Sequence, residues 1–205
     1  AHEARGGFGA SGAQFLSAYL WSRLSQDGFS GRTEFADLLK ETWRTFKLVM
    51  SDRGENASGY DLISQFSGGL KVISSNPWEI RDLNWGFAED SLLLFRTGVK
   101  VPTHEHLQAI TKLPSYDLKQ LVQKAEHGLA QSSAVDLADA LNRYQEQLYK
   151  LGLLHPMVRP LRENLAKVPG VHAAKGCGAM GSDVVLVFCK NDAIDAVKAR
   201  ATEMS

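Results

Sequence analysis

The chain has little cysteine, no excess charge and no long hydrophobic run, and each shortage excludes a class of protein. Its two cysteines, Cys177 and Cys189, are too few for a disulfide framework, which favours a reducing compartment. Its 23 Lys and Arg balance its 23 Asp and Glu, so the protein's overall electrostatic field does not favour binding to nucleic acid or to an anionic membrane. No apolar run approaches the ~20 residues that span a bilayer, and no secretory signal is visible. We therefore expect a soluble, cytoplasmic protein that binds neither nucleic acid nor membranes.

Small residues, by contrast, are concentrated in three segments. The most informative is Lys-Gly-Cys-Gly-Ala-Met-Gly-Ser-Asp at residues 175–183, which leads into the apolar run at 184–188. Glycines let backbone amides approach an anion closely, because they lack Cβ and accept positive φ. The other two segments are residues 6–13 and 56–61. Each segment alone is a weak signal, but three of them form a pattern typical of anion binding.

The spacing of apolar residues predicts helices and strands without a regular βαβ alternation, which is typical of an α+β fold. Helices are predicted at residues 13–24, 33–50, 103–110, 115–130, 133–151, 156–168 and 192–204, with one or two helical turns at 60–66. Strands are predicted at residues 70–74, 91–96, 171–174 and 184–188, with loops at 51–58 and 175–183.

Gly-Phe-Gly-Ala-Ser-Gly at residues 7–12 matches the dinucleotide-binding pattern G-x-G-x-x-G. That fingerprint needs a preceding strand and an acidic residue about 20 positions on, whereas residues 1–5 are not strand-like and mostly helix follows. Phosphate binding fits better, since small residues at a helix start present free N–H groups and a positive dipole end. The Ser11 hydroxyl could bind a phosphate oxygen or Mg²⁺. The alternative is a glycine loop needed only for close helix packing.

Asn-Ala-Ser-Gly-Tyr-Asp at residues 56–61 places a carboxylate at the start of a helix. Asp61 is well positioned there to accept the proton of a substrate hydroxyl, as phosphoryl transfer requires. The alternative is a solvated Asp that satisfies the helix N-terminus. His104 and His106 do not suggest a metal site, because residues two apart on a helix point to different faces. The four tryptophans are better explained as core residues than as base-stacking platforms.

In this order and spacing, the segments resemble motifs of the GHMP kinase superfamily, most closely its mevalonate and phosphomevalonate kinase branch. Residues 7–13 match the family's phosphate loop, Gly-Leu-Gly-Ser-Ser-Ala-Ala. Residues 57–61 match Pro-Ser-Gly-x-Asp, whose Asp serves as catalytic base. Residues 93–98, followed by Thr103, resemble a strand-then-Thr segment near the nucleotide phosphates. Residues 175–183 match Lys-Ser-Ser-Gly-Ala-Gly-Gly-Gly-Asp, and the retained Lys and Asp favour the phosphomevalonate kinases.

The resemblance implies a GHMP kinase-like two-domain α+β fold. Residues 1–75 would be the remainder of the N-terminal nucleotide-binding domain, and residues 76–205 a C-terminal domain with a ferredoxin-like α/β sandwich. The family's first motif would precede Ala1, so we expect upstream sequence. The chain departs from the family pattern at Ala10, which replaces a Ser, and at Met180, which replaces a Gly.

The resemblance further implies an ATP-dependent kinase that transfers the γ-phosphoryl group to mevalonate phosphate or a related isoprenoid-pathway acceptor. Asp61 would orient or deprotonate this small-molecule substrate, and Ser11 would help hold Mg²⁺. The family's acidic Mg²⁺ ligand would come from the loop that contains Asp52 and Glu55. The residues expected to contact the nucleotide are Gly7, Phe8, Gly9, Ala10, Ser11, Gly12, Ala13 and Thr103. Those expected to contact the substrate are Ser58, Gly59, Lys175, Gly178 and Ala179. Three alternative functions stay open: a mevalonate kinase, a mevalonate diphosphate decarboxylase-like enzyme, and an inactive binding protein. Formation of a homodimer also stays open.

Overall fold

The structure, a computed structural model, describes residues 10–27, 35–54, 57–98, 115–156, 158–178, 181 and 184–204. These residues divide into two compact units, one ending at Asp82 and the other beginning at Leu83. The assignment of residues 1–75 to a nucleotide-binding domain and of residues 76–205 to a C-terminal domain stays a prediction. No described helix is long and apolar enough to cross a membrane.

Three helices and a hairpin make up the first unit. They are α1 (Ala10–Asp27), α2 (Phe35–Asp52), α3 (Tyr60–Ser67), β1 (Leu70–Ser75) and β2 (Trp78–Leu83). The buried positions of α2 recur every three or four residues, as one face of a helix requires, and include Phe46 and Met50. These two side chains form a small core with Leu62 of α3, against which Phe15 of α1 packs. The core therefore holds the three helices together.

The second unit is built on a three-stranded antiparallel sheet. Its elements are β3 (Asp90–Arg96), α4 (Ser115–Ala130), α5 (Ala134–Lys150), α6 (Val158–Leu165), β4 (Val171–Cys177), β5 (Val184–Lys190), a 3₁₀ turn (Asn191–Ala193) and α7 (Ile194–Glu203). Strand β5 lies between β3 and β4, and Lys175 is paired with Leu186 across the β4–β5 ladder.

Alternate residues of β5 point to opposite faces of the sheet, as in any strand. Val185 and Val187 join a core formed with α6 and α7, whereas Phe188 joins a second core with Leu137 of α5 and Phe87. Because both faces of this strand are covered, its sequence is continuously apolar rather than alternating.

The structure confirms most of the predicted elements, corrects two predictions and adds one strand. Strand β2 was not predicted, although Trp78-Glu-Ile-Arg alternates apolar and polar residues. Strand β4 continues to Cys177, so the predicted loop at 175–183 is wrong for its first three residues, which pair with β5. Trp21 was predicted as a core residue, but 74% of it is exposed. The predicted helix at 103–110 lies outside the described residues.

Helices α4 and α5 approach so closely at Gly128 that a side chain does not fit there. A Cβ placed on this glycine would lie 2.7 Å from the backbone nitrogen of Leu137 and 3.1 Å from its Cα. We expect Gly128→Ala to lower the free energy of unfolding by about 1–3 kcal/mol, the usual cost of overpacking, although Ala is the better helix former. Chemical denaturation measures the change. Gln120→Ala, at an exposed position of the same helix, is the control and should be neutral; an equally neutral Gly128→Ala would contradict the close contact.

Candidate functional site

The first turn of α1 lies beside the first turn of α3, which brings two predicted site residues together. Gly12 is buried, and a Cβ placed on it would lie 3.3 Å from Asp61 Oδ2 and 3.2 Å from Gln65 Oε1. The first N–H groups of a helix have no acceptor within it and carry the positive end of the helix dipole. The arrangement therefore sets the exposed carboxylate of Asp61 beside a group of backbone donors.

Side chains of α2 hold the turn that leads into Asp61. Trp43 Nε1 donates a hydrogen bond to the carbonyl oxygen of Ser58 at 2.9 Å, and Lys47 Nζ donates to that of Ala57 at 2.6 Å. Gly59, the residue before α3, has φ +72°. A Cβ at Gly59 would lie 2.9 Å from the Trp43 ring. The turn therefore needs glycine at this position both for its backbone conformation and for the close approach of the indole.

The predicted substrate-binding Lys175 is anchored at the end of β4. Its Nζ donates to the carbonyl oxygen of Gly176 at 3.0 Å and lies 4.9 Å from the centroid of the Tyr144 ring. A cation over an aromatic face is held by the ring quadrupole. Burial, and secondarily the neighbouring Cys177, raises the pKa of Tyr144. The ammonium group of Lys175 is therefore held at a defined position against Tyr144 of α5.

The end of β4 and the glycines that follow it are equally restricted. Gly176 N donates to the side-chain Oε1 of the buried Gln145 at 3.0 Å, and a Cβ on Gly176 would lie 2.5 Å from the carbonyl oxygen of Gly181. The Gly181 N–H donates to the carbonyl oxygen of Gly178 at 3.0 Å, and both of these glycines have positive φ. Helix α5 thus positions this segment through Gln145.

Loss of the Gln145 amide should destabilise the protein. In Gln145→Leu the buried N–H of Gly176 loses its acceptor, and a buried unpaired donor costs about 1–3 kcal/mol. We expect a fall of that size in the free energy of unfolding, measured by chemical denaturation. Gln147→Leu, at a partly exposed position of the same helix, should change it much less. Equal effects of the two substitutions would show that the hydrogen bond to Gly176 is not what stabilises this turn.

Several predicted site residues cannot be placed. Gly7, Phe8, Gly9, Thr103 and Ala179 lie outside the described residues, and so do the side chains of Ala10 and Ser11. The proposed metal ligand Ser11 therefore stays a prediction. Ala13 lies exposed near the start of α1, and Asp52 is exposed at the end of α2. Among the residues whose placement is described, no three His, Cys, Asp or Glu side chains lie close enough to hold a metal ion.

Sequence reasoning missed the four side chains that hold these segments, namely Trp43, Lys47, Tyr144 and Gln145. Three of them bond to backbone atoms that are far from them in sequence, so no local pattern marks them. The signal in the sequence was the pair of glycines, Gly59 and Gly176, that Trp43 and Gln145 contact.

The fold described above is GHMP kinase-like. Residues 125–204 match the family model described as GHMP kinases C terminal. The comparison with curated proteins gives no match. The family resemblance is therefore supported by sequence for the C-terminal part, and the structural comparisons that follow show the fold of the whole chain.

Three solved structures illustrate the similarity. The phosphomevalonate kinase of Streptococcus pneumoniae, in complex with phosphomevalonate and AMPPNP, has a TM-score of 0.76 and 18% identity over 96% of this chain and 66% of its own. The galactokinase of Lactococcus lactis, complexed with galactose, has a TM-score of 0.71 and 12% identity, and the match covers 94% of this chain and 60% of the galactokinase. The mevalonate kinase of L. major, in complex with R-mevalonate, has a TM-score of 0.68 and 13% identity, and the match covers 94% of this chain and 61% of that kinase.

These likenesses show the fold alone, because the identities are low. The chain spans 66% of the phosphomevalonate kinase and less of the other two proteins. The three proteins are named for different acceptors, so they do not fix the acceptor of this chain. What they have in common is the kinase class, whose members are phosphotransferases.

Proposed function

We propose that this protein is an ATP-dependent phosphotransferase that acts on a small-molecule acceptor. The observation that carries the proposal is the position of Asp61, whose carboxylate lies against the backbone of the first turn of α1 at Gly12. Phosphoryl transfer asks a protein mainly to position the reactants and to stabilise charge. Backbone donors that bind an anion, beside a carboxylate that can orient an acceptor, are groups that this chemistry uses.

The residues present fit a nucleotide phosphate. Because Gly12 has no Cβ, the backbone of the first turn of α1 comes close to Asp61: a Cβ there would lie 3.3 Å from Asp61 Oδ2. The N–H groups of this turn would bind phosphate oxygens, and the Ser11 hydroxyl would help hold Mg²⁺. Mg·ATP supplies the phosphoryl group and the metal that neutralises its charge. Asp61 orients the acceptor oxygen and, where that oxygen is a hydroxyl, takes its proton.

We further propose that the acceptor is mevalonate phosphate or a related compound, and that Lys175, Gly178 and Ala179 contact it. The lysine ammonium, held by Tyr144, is the group that attracts a phosphate. Support for this acceptor comes from the Lys and Asp that bound residues 175–183 and from the similarity to the phosphomevalonate kinase. Ser58 and Gly59 stay in the proposal as further substrate contacts.

The experiment that tests the proposal is an assay of ADP formation by the purified protein with Mg·ATP. Mevalonate, mevalonate phosphate, mevalonate diphosphate, homoserine and galactose are supplied separately. We expect acceptor-dependent turnover with mevalonate phosphate. Turnover with mevalonate alone would assign a mevalonate kinase, and CO₂ release from mevalonate diphosphate a decarboxylase. Absence of turnover with every acceptor, together with Mg·ATP binding by calorimetry, would indicate an inactive binding protein instead.

A further inference from the structure

The first turn of α3, which carries Asp61, depends on its neighbours for its position. Helix α3 has eight residues and begins after Gly59, which has no side chain to cap it. Helices shorter than ~12 residues are marginal by themselves in water, so tertiary contacts decide where they lie. Helix α2 supplies two such contacts, from Trp43 and Lys47, as described above. The β1–β2 hairpin supplies a further set.

The tip of this hairpin, residues 75–78, lies against α2 and α3 at two points. Ser75 ends β1 and Trp78 begins β2, with a two-residue turn between them. The Tyr60 hydroxyl, one residue before Asp61, donates a hydrogen bond to Ser75 Oγ at 3.0 Å. The ring centroids of Trp78 and Trp43 lie 4.8 Å apart, and the two rings are tilted by 45°. Both contacts therefore come from the same end of the hairpin.

Trp43 connects the hairpin to the backbone of the turn. Its Nε1 donates to the carbonyl oxygen of Ser58, and a Cβ on Gly59 would lie 2.9 Å from its ring. Tilted aromatic pairs at this separation attract each other beyond the area that they bury. The Lys40 ammonium, one helical turn before Trp43 on α2, lies 6.0 Å from the centroid of the Trp78 ring. Loss of Trp78 would therefore remove a contact that keeps the indole of Trp43 against the turn.

We propose that the tip of the β1–β2 hairpin positions Asp61 for phosphoryl transfer, with Trp78 and Tyr60 as positioning residues that act through the turn at 57–61. The inference rests on the proposed function, in which Asp61 orients the acceptor. Reacting groups must be held within about 0.5 Å of their productive positions by the contacts around them. A misplacement of ~1 Å can cost roughly 10²-fold in rate. Neither positioning side chain needs to touch the reactants.

Hydrogen exchange measured by nuclear magnetic resonance tests whether the hairpin holds the turn. The probes are the Ile63 amide, which donates to the carbonyl oxygen of Gly59 at 3.3 Å, and the indole N–H of Trp43. In Trp78→Leu we expect both to exchange about 2- to 10-fold faster, the change that loss of an aromatic pair gives. The amide of the buried Met50 in α2 should change less. Unchanged probes, or equal acceleration at Met50 through a general loss of stability, would overturn the proposal.

Tyr60→Phe tests the second contact and removes only one hydroxyl from a side chain that is 37% exposed, so the fold is kept. We expect the Ile63 amide to exchange about 2-fold faster, as loss of one exposed hydrogen bond implies. Tyr19→Phe is the matched control, because the Tyr19 hydroxyl donates to Glu41 Oε1 at 2.8 Å and not to the hairpin. An effect of Tyr19→Phe as large as that of Tyr60→Phe would count against the hairpin contact.

The rate of ADP formation tests whether the hairpin acts through Asp61. With a hydroxyl acceptor, Trp78→Leu should lower turnover by about 10-fold, and by much less in the Asp61→Asn background, because residues that act as a unit are not additive. With mevalonate phosphate, which needs no base, both losses should be small. Trp78→Phe, which keeps an aromatic ring, should recover most of the activity, and Trp21→Leu, at an exposed tryptophan of α1, should retain all of it. Additive losses, or a loss in Trp78→Leu larger than in Asp61→Asn, would contradict the positioning role.

Failure of this inference and failure of the proposed function give different results. Absence of turnover with every acceptor would contradict the kinase, and the exchange of the Ile63 amide in Trp78→Leu would still decide whether the hairpin holds the turn. Turnover of the wild-type protein together with unchanged exchange in that variant would contradict the role of the hairpin alone.

Discussion

Replacement of Asp61 by Asn is expected to lower the turnover of an acceptor that reacts through a hydroxyl group by about 10²- to 10⁴-fold, the usual contribution of a general base. The amide keeps the size of the side chain but cannot accept the proton. Asp61 is exposed in the first turn of α3, so the substitution should leave the stability nearly unchanged. The measurement is the steady-state rate of ADP formation at saturating acceptor.

The same variant separates two classes of acceptor. A phosphate monoester has a second pKa near ~6 and is mostly ionised at pH 7, so it needs no base. With mevalonate phosphate the loss in Asp61→Asn should therefore be much smaller than with a hydroxyl acceptor. Asp37→Asn is the matched control, since Asp37 is also exposed in the first turn of a helix, α2. An equal loss of activity in both variants would argue against a specific role for Asp61.

Replacement of Gly12 by Ala is the second change for which we expect a large effect. The added methyl group would lie 3.3 Å from Asp61 Oδ2 and 3.2 Å from Gln65 Oε1, so both side chains must shift by a few tenths of an ångström. Because a misplacement of ~1 Å can cost 10²-fold in rate, we expect turnover to fall by about 10- to 100-fold.

The stability of Gly12→Ala distinguishes this account from simple disruption of packing. Ala is a better helix former than Gly by about 1 kcal/mol, which offsets the tighter contact, so the free energy of unfolding should change by less than that amount. Ser17→Ala, on an exposed part of α1, is the control for activity. A Gly12→Ala variant with full turnover would contradict the placement of the reaction at this turn, and one that unfolds would show that Gly12 serves packing alone.

Apolar periodicity was sufficient to predict the elements that are amphipathic or continuously apolar. Helix α4 was predicted with its observed ends, and β5 was recognised from its run of apolar residues. Two strands were harder to predict because their pairing partners decide them. Charged residues follow Trp78 in β2, and Gly176 in β4 suggested a loop, yet the ladder with β5 extends through Gly176 to Cys177.

For the candidate site, the sequence identified the segments but not how they are held. Gly12 and Asp61 were each singled out by composition and resemblance, and their proximity depends on the packing of α1 against α3 through Phe15 and Leu62. The hydrogen bonds of Trp43 and Gln145 join residues distant in the chain. Such contacts are determined by tertiary packing, which a local pattern does not report.

A crystal structure of the protein with AMPPNP and mevalonate phosphate tests the central claim most directly. The account predicts that the nucleotide phosphates lie against the backbone N–H groups of the first turn of α1. It also predicts that the reactive phosphate oxygen of the acceptor faces the γ-phosphate and lies within reach of Asp61 through one bridging water molecule. Phosphates bound elsewhere on the chain, or an acceptor remote from Asp61, would contradict it.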